Sequence, residues 1–388
     1  MTVLAGLRVV TPGEVLEPGW VHVDGARIIA VGTGLPPRWQ TPVEDFESLG
    51  HWLVPGFIDL HVHGGGGASF TSGNADEVRR AVAFHLAHGS TRTLASLITA
   101  PLGEMAAAAK AVAAVVRGGP SLRGHLVGCH LEGPFLSAQR CGAHEPRHLL
   151  EPEEGSFLEL LRAGEGTVRM ITLAPELPRA GQLMRVALEA GLVVAVGHTD
   201  ATYEQAATAF ADGAAVATHL FNGMRPVHHR DPGPAVAALN SRHVVCELIN
   251  DGVHLDDAMV RLAFNTVGAG RVALITDAIA AAGMGDGDYR LGSQDVRVEG
   301  DRVQLKDGHS LAGSTLTMDR ALGHAVFEVG LDIKEAVTAA STTPARVLGV
   351  EDRAGSIEPG KDADLVVLDE GLEVVEVMAA GRWVRCER

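Results

Sequence analysis

From Pro55 to Gly349, short apolar runs of the kind that form buried strands recur between stretches whose apolar residues fall every three or four positions. Eight such runs, residues 57–62, 91–98, 124–131, 167–174, 192–197, 214–219, 243–249 and 271–277, read as strands. Helical periodicity is clear over Ala75–Ala87 and Ala201–Ala211, whereas the link after Phe221 reads as loop. Eight β-then-α units over about 290 residues match a (β/α)8 TIM-type barrel in number and length. A doubly wound parallel sheet is the competing α/β arrangement.

The pattern changes at both ends. Leu7–Gly32 and Gly355–Val384 are short apolar runs broken by Gly and Pro, and neither is long enough to bury a core alone. Residues 1–54 with 350–388 are therefore expected to pair as a small β-sandwich domain beside a catalytic barrel of residues 55–349. Gly283–Ser310, rich in Gly and Asp with the two short runs VRV and RVQL, reads as an inserted hairpin.

Composition narrows the partners. The 388 residues carry 48 acidic against 32 basic side chains, a formal charge of −16, so nucleic acid and anionic membrane surfaces are expected to be repelled. No apolar run reaches the ~18 residues of a transmembrane helix, and Met1–Gly13 lacks the basic-then-apolar order of a signal peptide. The four cysteines, Cys129, Cys141, Cys246 and Cys386, show no paired spacing, which points to a reducing cytoplasm.

A barrel of this kind keeps its chemistry at the carboxyl ends of its strands. There the chain places imidazoles and carboxylates: Asp59, His61 and His63, then His130 and Glu132, then His198, then His219, then Asp277. His61 and His63, two apart on a strand, face one side and can grip one ion. Glu132, His198 and His219 make a ligand set for zinc or a similar ion that leaves a position open for water. Asp277 could serve as general base and then acid beside such a water, or as the cap of the following turn. The basic stretch Asn222–Arg230 suggests an anionic, phosphate-bearing substrate, a solvated loop being the alternative. His254 would polarise a carbonyl or serve the fold. The four lysines, Lys110, Lys306, Lys334 and Lys361, lie away from the strand ends, which excludes a carbamylated lysine bridging two metals. No Gly-x-Ser-x-Gly elbow or nucleotide-binding glycine loop is present.

Taken in order from about Val54 to Thr343, the segments PGFIDLHVHG, HLEGPF, GAH, GHTDATYEQA, THLFNGM, DGVHL, TDAI and LAGSTLTM resemble the N-acetylglucosamine-6-phosphate deacetylase family of the amidohydrolase superfamily. The resemblance implies metal-dependent hydrolysis of an acetamide on an amino-sugar phosphate. Glu132, His198 and His219 would hold the principal ion, most simply Zn2+, and Asp277 would be the catalytic acid and base. Ala143, Asn222, Gly223, Arg230, His254, Leu311, Ala312 and Gly313 would contact the sugar phosphate. A homodimer is implied, with phosphate contacts across its interface, and a second ion at His61 and His63. Cys141 would be a ligand, a gate or a plain loop residue. Other amidohydrolase reactions, the galactosamine epimer and an inert scaffold are the alternative readings.

Overall fold

The computed structural model describes residues 1–37, 41–46, 50–119, 124–308 and 310–384. Cys386 and the rest of residues 385–388, where the terminal unit was expected to end, lie outside them. All eight strands read from the sequence are present: β1 (Phe57–Val62), β2 (Ser90–Ile98), β3 (Leu126–Glu132), β4 (Val168–Leu173), β5 (Val193–Val196), β6 (Val216–Ala217), β7 (Val245–Ile249) and β8 (Val272–Ile275). They pair in parallel in chain order. Helices Ala75–Ala87 and Tyr203–Ala211 fall where the periodicity placed them; the second starts behind a capping box in which Thr202 and Gln205 exchange hydrogen bonds. The stretch after Phe221 stays irregular as far as the helix Gly233–Asn240. The fold is the nearly closed parallel barrel, not the doubly wound sheet.

Closure between β1 and β8 is made by individual bonds. The Asp277 N–H donates to the His61 carbonyl at 2.8 Å and the His63 N–H donates to the Ala278 carbonyl at 2.8 Å. Below them the fully buried Asp59 accepts from the Thr276 hydroxyl at 2.6 Å and from the backbone N–H groups of His61 and Thr276 at 3.2 and 3.3 Å. Burial nonetheless pushes its carboxyl up to about 7.

The barrel interior is layered. Ile58, Leu60, Leu94, Met170, Ala195, Val216, Val245 and Ala273 fill its lower part as one apolar cluster. Above them Ser96, His130, Thr172 and Thr218 form a hydrogen-bonded chain. Strict alternation on β1 would send His61 and His63 outward, opposite to Ile58 and Leu60. A break in the β1–β2 register between Asp59 and Val62 re-phases the strand, and the Val62 N–H freed by it donates to the Ser96 hydroxyl at 3.1 Å.

Both chain ends meet in one eight-stranded sheet. It contains Thr2–Val10, Val15–Asp24, Arg27–Thr33, Val43–Asp45 and Trp52–Pro55 from the start, with Leu365–Leu368, Val374–Ala379 and Arg382–Trp383 from the end. Trp52–Pro55 runs antiparallel to Leu365–Leu368 and leads straight into β1. The insert after β8 is a three-stranded sheet, not the hairpin read from the sequence. The extra strand, Gly287–Leu291, carries charged, exposed residues at alternate positions, which concealed it. Its apolar face, Leu291, Val296, Val298 and Val303, packs with Ile98, Ala143 and Ile279 over the mouth of the barrel. Among the described residues no helix is long and apolar enough to cross a membrane.

Arg92 on β2 reaches Asp362 at 2.7 Å and Asp364 at 3.1 Å, with all three side chains about nine-tenths buried, and so ties the barrel to the terminal sheet. Without Arg92, Asp362 keeps Arg27 and Arg353, but the buried Asp364 is left with uncompensated charge. Arg92→Met is therefore expected to lower the unfolding free energy by about 3–5 kcal/mol, read from urea midpoints. A loss below ~1 kcal/mol would show that the pair is solvated like a surface ion pair.

Candidate active site

Four strand-end histidines converge on one carboxylate, and a second carboxylate stands beside them. Glu132, at the end of β3, has Oε1 3.1 Å from His198 Nε2, 3.2 Å from His219 Nε2 and 3.4 Å from His61 Nε2, while Oε2 lies 3.1 Å from His63 Nε2. Asp277 Oδ1 stands 3.2 Å from His63 Nε2 and 3.6 Å from His61 Nε2. The histidine nitrogens also crowd one another: His61 and His63 at 3.2 Å, His198 and His219 at 3.1 Å. Lone pairs this close in a buried site need a proton or a cation between them. Two groups therefore fit a divalent ion of borderline softness, His61 with His63 and Glu132, and Glu132 with His198 and His219.

Each ring is held so that Nε2 faces the site. His63 Nδ1 donates to the Ser96 carbonyl at 3.1 Å, His198 Nδ1 to the Arg140 carbonyl at 2.8 Å and His219 Nδ1 to the Asn222 carbonyl at 3.1 Å. His61 Nδ1 donates instead to a side chain, Glu247 Oε2, at 3.3 Å. This is the outer shell that metal-binding imidazoles require. Three of the site residues sit in left-handed backbone, His198 at φ 45°, His219 at φ 29° and Asp277 at φ 49°. Non-glycine residues are rarely held there, and such strain gathers at functional sites.

Electrostatics follow from the crowding. Burial works against a charged imidazole, but the carboxylates outweigh it: Glu132 and Asp277 hold His61 well above its ordinary value, and Asp277 and Glu132 raise His63 to about 9. Burial would lift the two acids; instead His61 and His144 keep Glu132 well below the carboxylate range, and His61 and His63 lower Asp277 to about 2.

A cavity of about 260 Å³ opens over this cluster. Its wall includes His63, Glu132, His198, His219, His254 and Asp277, together with Ala143, Asn222, Gly223, Leu311 and Gly313. His254 donates from Nδ1 to Asp251 Oδ2 at 2.8 Å, which fixes its ring, while Asp251 Oδ1 takes the backbone N–H groups of Val253 and His254. Three expected residues stand elsewhere. Ala312 is fully buried in the cluster beneath the insert. Arg230 is exposed on the loop after His219 with its guanidinium against His229. Cys141 is half-buried in the turn after β3 and joins neither ligand group among the described residues.

The sequence reading passed over His144, Glu247 and a role for His130. His144 Nε2 lies 3.2 Å from His198 Nε2 and 3.4 Å from Glu132 Oε2; because its Nδ1 accepts the Thr99 N–H at 3.3 Å, Nε2 carries the proton. Burial and then His198 push it down to about 4, so it is a neutral donor. Its signal was the GAH triplet, read only for Ala143. Ser96 holds the Val62 N–H and so donates to His130 Nδ1 at 2.9 Å, leaving His130 Nε2–H to donate to Thr172 at 2.8 Å. That network is formed across strands, and no local pattern announces it.

Because His63 keeps a proton up to about pH 9, an ion must displace protons to bind. Metal uptake by the stripped protein is expected to release protons below that pH, and its apparent affinity to rise with pH until about 9. Calorimetry in buffers of different ionisation enthalpy reads this directly, and pH-independent uptake would remove these histidines from the ligand set.

Comparison with known proteins supplies the family. Residues 52–384 match the amidohydrolase family. The chain is 39% identical to the N-acetylglucosamine-6-phosphate deacetylase of Bos taurus over 97% of its length and 94% of the relative's. It is 38% identical to the N-acetylgalactosamine-6-phosphate deacetylase of Escherichia coli O157:H7, over 94% and 96%. A mutant N-acetyl-D-glucosamine-6-phosphate deacetylase of Mycobacterium smegmatis, solved in complex with N-acetyl-D-glucosamine-6-phosphate, superposes with a TM-score of 0.93 at 44% identity, covering 98% of both chains. With a family match over most of the chain and these full-length likenesses, the chain belongs to the N-acetylglucosamine-6-phosphate deacetylase branch of the amidohydrolase family.

Proposed function

We propose that the protein hydrolyses the acetamide of N-acetyl-D-glucosamine 6-phosphate, releasing acetate and D-glucosamine 6-phosphate, in amino-sugar catabolism or recycling. The observation that carries this reading is the convergence of His198 and His219 on Glu132, with Asp277 against His63 of the same cluster, at the floor of a cavity whose wall also holds His254. The resemblance to deacetylases then selects the reaction. Glu132, His198 and His219 would hold a divalent ion, Zn2+ by the borderline character of its ligands, which supplies a Lewis acid that lowers the pKa of water to about 7 and polarises a carbonyl.

The rest is done by side chains. Asp277, depressed to about 2, is a carboxylate at neutral pH and accepts a proton from the attacking water. It returns that proton to the departing nitrogen, which must leave as an amine because an amide anion is too poor a leaving group. His254, its ring fixed by the bond from Nδ1 to Asp251, stands in the cavity wall where it would polarise the acetyl oxygen. Asn222, Gly223 and the Leu311–Gly313 stretch shape the sugar subsite. No Lys or Arg lines the cavity among the described residues, so the phosphate draws its cation from outside the wall. Arg230, exposed on its loop, fits that role from the second chain of a homodimer, where a bidentate guanidinium contact holds phosphate and orients the acetyl group. The free thiols Cys129, Cys141 and Cys246 suit a reducing cytoplasm.

The test is release of free amine from N-acetylglucosamine 6-phosphate, its galactosamine epimer and unphosphorylated N-acetylglucosamine, after metal removal and after zinc is restored. Zinc-dependent release from the phosphorylated glucosamine derivative is expected; preference for the epimer would move the assignment to the function named for the Escherichia coli relative. Asp277→Asn is expected to lower kcat by about 10²–10⁴ with its metal retained, and near-normal turnover would end the proton-transfer role. Arg230→Ala is expected to raise KM for the phosphorylated sugar about ten- to a hundred-fold, the worth of a charge-assisted hydrogen bond.

A further inference from the structure

Of the four histidines in the two candidate ligand groups, three rest their Nδ1 on backbone carbonyls. A carbonyl is present whatever the side chain, so those orientations are built into the fold. His61 differs. It is fully buried, and its Nδ1 acceptor is the Glu247 carboxylate, itself fully buried on β7. An imidazole ligates through Nε2 only when Nε2 is unprotonated, which for a neutral ring puts the proton on Nδ1 and requires an acceptor there. Glu247 provides it.

The same oxygen, Glu247 Oε2, accepts the backbone N–H of His219 at 3.3 Å, and the Glu247 carbonyl accepts the Leu220 N–H at 2.8 Å. Glu247 thus touches one residue of each ligand group. Its other carboxylate oxygen has no hydrogen-bond partner, so this buried carboxylate rests on those two bonds alone.

We propose that Glu247 is a positioning residue that makes the His61–His63–Glu132 group competent to bind a second divalent ion, by fixing the proton of His61 on Nδ1. The His198–His219 group does not depend on it in the same way, because its rings are oriented by the Arg140 and Asn222 carbonyls and its strained turn keeps the backbone bond from Leu220. The inference rests on the reading of the site as a metal centre and is independent of the substrate.

The experiment is a titration of the metal-free full-length chain with Zn2+ against a chromophoric chelator, with bound metal counted by mass spectrometry and no substrate present. The parent is expected to bind two ions with separable constants. Glu247→Met, which removes acceptor and charge, is expected to weaken the weaker ion about 10–100-fold while moving the tighter one less than about threefold. Glu247→Gln, which keeps an acceptor oxygen without the charge, should fall between and serves if the methionine variant does not fold. In a double-mutant cycle, Glu247→Met should add no further loss once His61→Gln is present. A parent that binds one ion, variants that lose both ions in parallel, or variants that match the parent would each overturn the proposal. Since none of these readings uses a sugar, failure of the deacetylase assay leaves the result standing.

Discussion

One carboxylate fixes the geometry of this molecule's upper half. Glu132 offers Oε1 to His198, His219 and His61 and Oε2 to His63, so two ligand groups on opposite sides of the barrel share a single residue. That sharing demands that β1, β3, β5 and β6 end at one level, within the few tenths of an ångström that ligand distances allow. Buried at 2% exposure among rings, the group is tolerable only because positive charge surrounds it, whether protons or a metal ion. The site is thus a charge-balance problem that the fold solves by gathering strand ends.

The supporting layers read as answers to that demand. Apolar residues at the bottom of the barrel supply the burial, the Ser96–His130–Thr172–Thr218 chain keeps the next layer polar but satisfied, and the histidines around Glu132 stand on top. The register break on β1 allows His61 and His63 to join the interior after Ile58 and Leu60 have already faced it. Strain at His198, His219 and Asp277, on the order of 1–3 kcal/mol for each left-handed residue, is carried by that surrounding packing.

Much of this was legible in the chain. Apolar runs of strand length located all eight barrel strands, because a strand covered on both faces leaves a continuous signature. Strand ends then named the residues that the fold gathers around Glu132, since an imidazole or carboxylate closing an apolar run has few structural reasons to be there. Three things were not legible. Glu247 lies inside a strand, where a lone acid signals nothing until its neighbours across the barrel are known. His144 was hidden in a loop, and its role depends on the fold of the segment after Glu132. The first insert strand was masked by charge on its exposed face. Arg230 is the opposite case: its local chemistry suits phosphate, yet within one chain it stands exposed on its loop and not in the cavity wall.

The terminal sheet has a consequence for synthesis on the ribosome. Trp52–Pro55, which leads into the first barrel strand, finds its partner Leu365–Leu368 more than three hundred residues later. Until that partner emerges, the Trp52–Pro55 edge of the early strands is bare, although β8, earlier in the chain, is already made and can close on β1. The nascent protein must therefore hold an open edge of the terminal sheet, the condition in which chains aggregate and chaperones are needed. Nascent chains stalled before Leu365 are where that exposure is greatest, so the ends that join in the finished molecule also set the last step of its making.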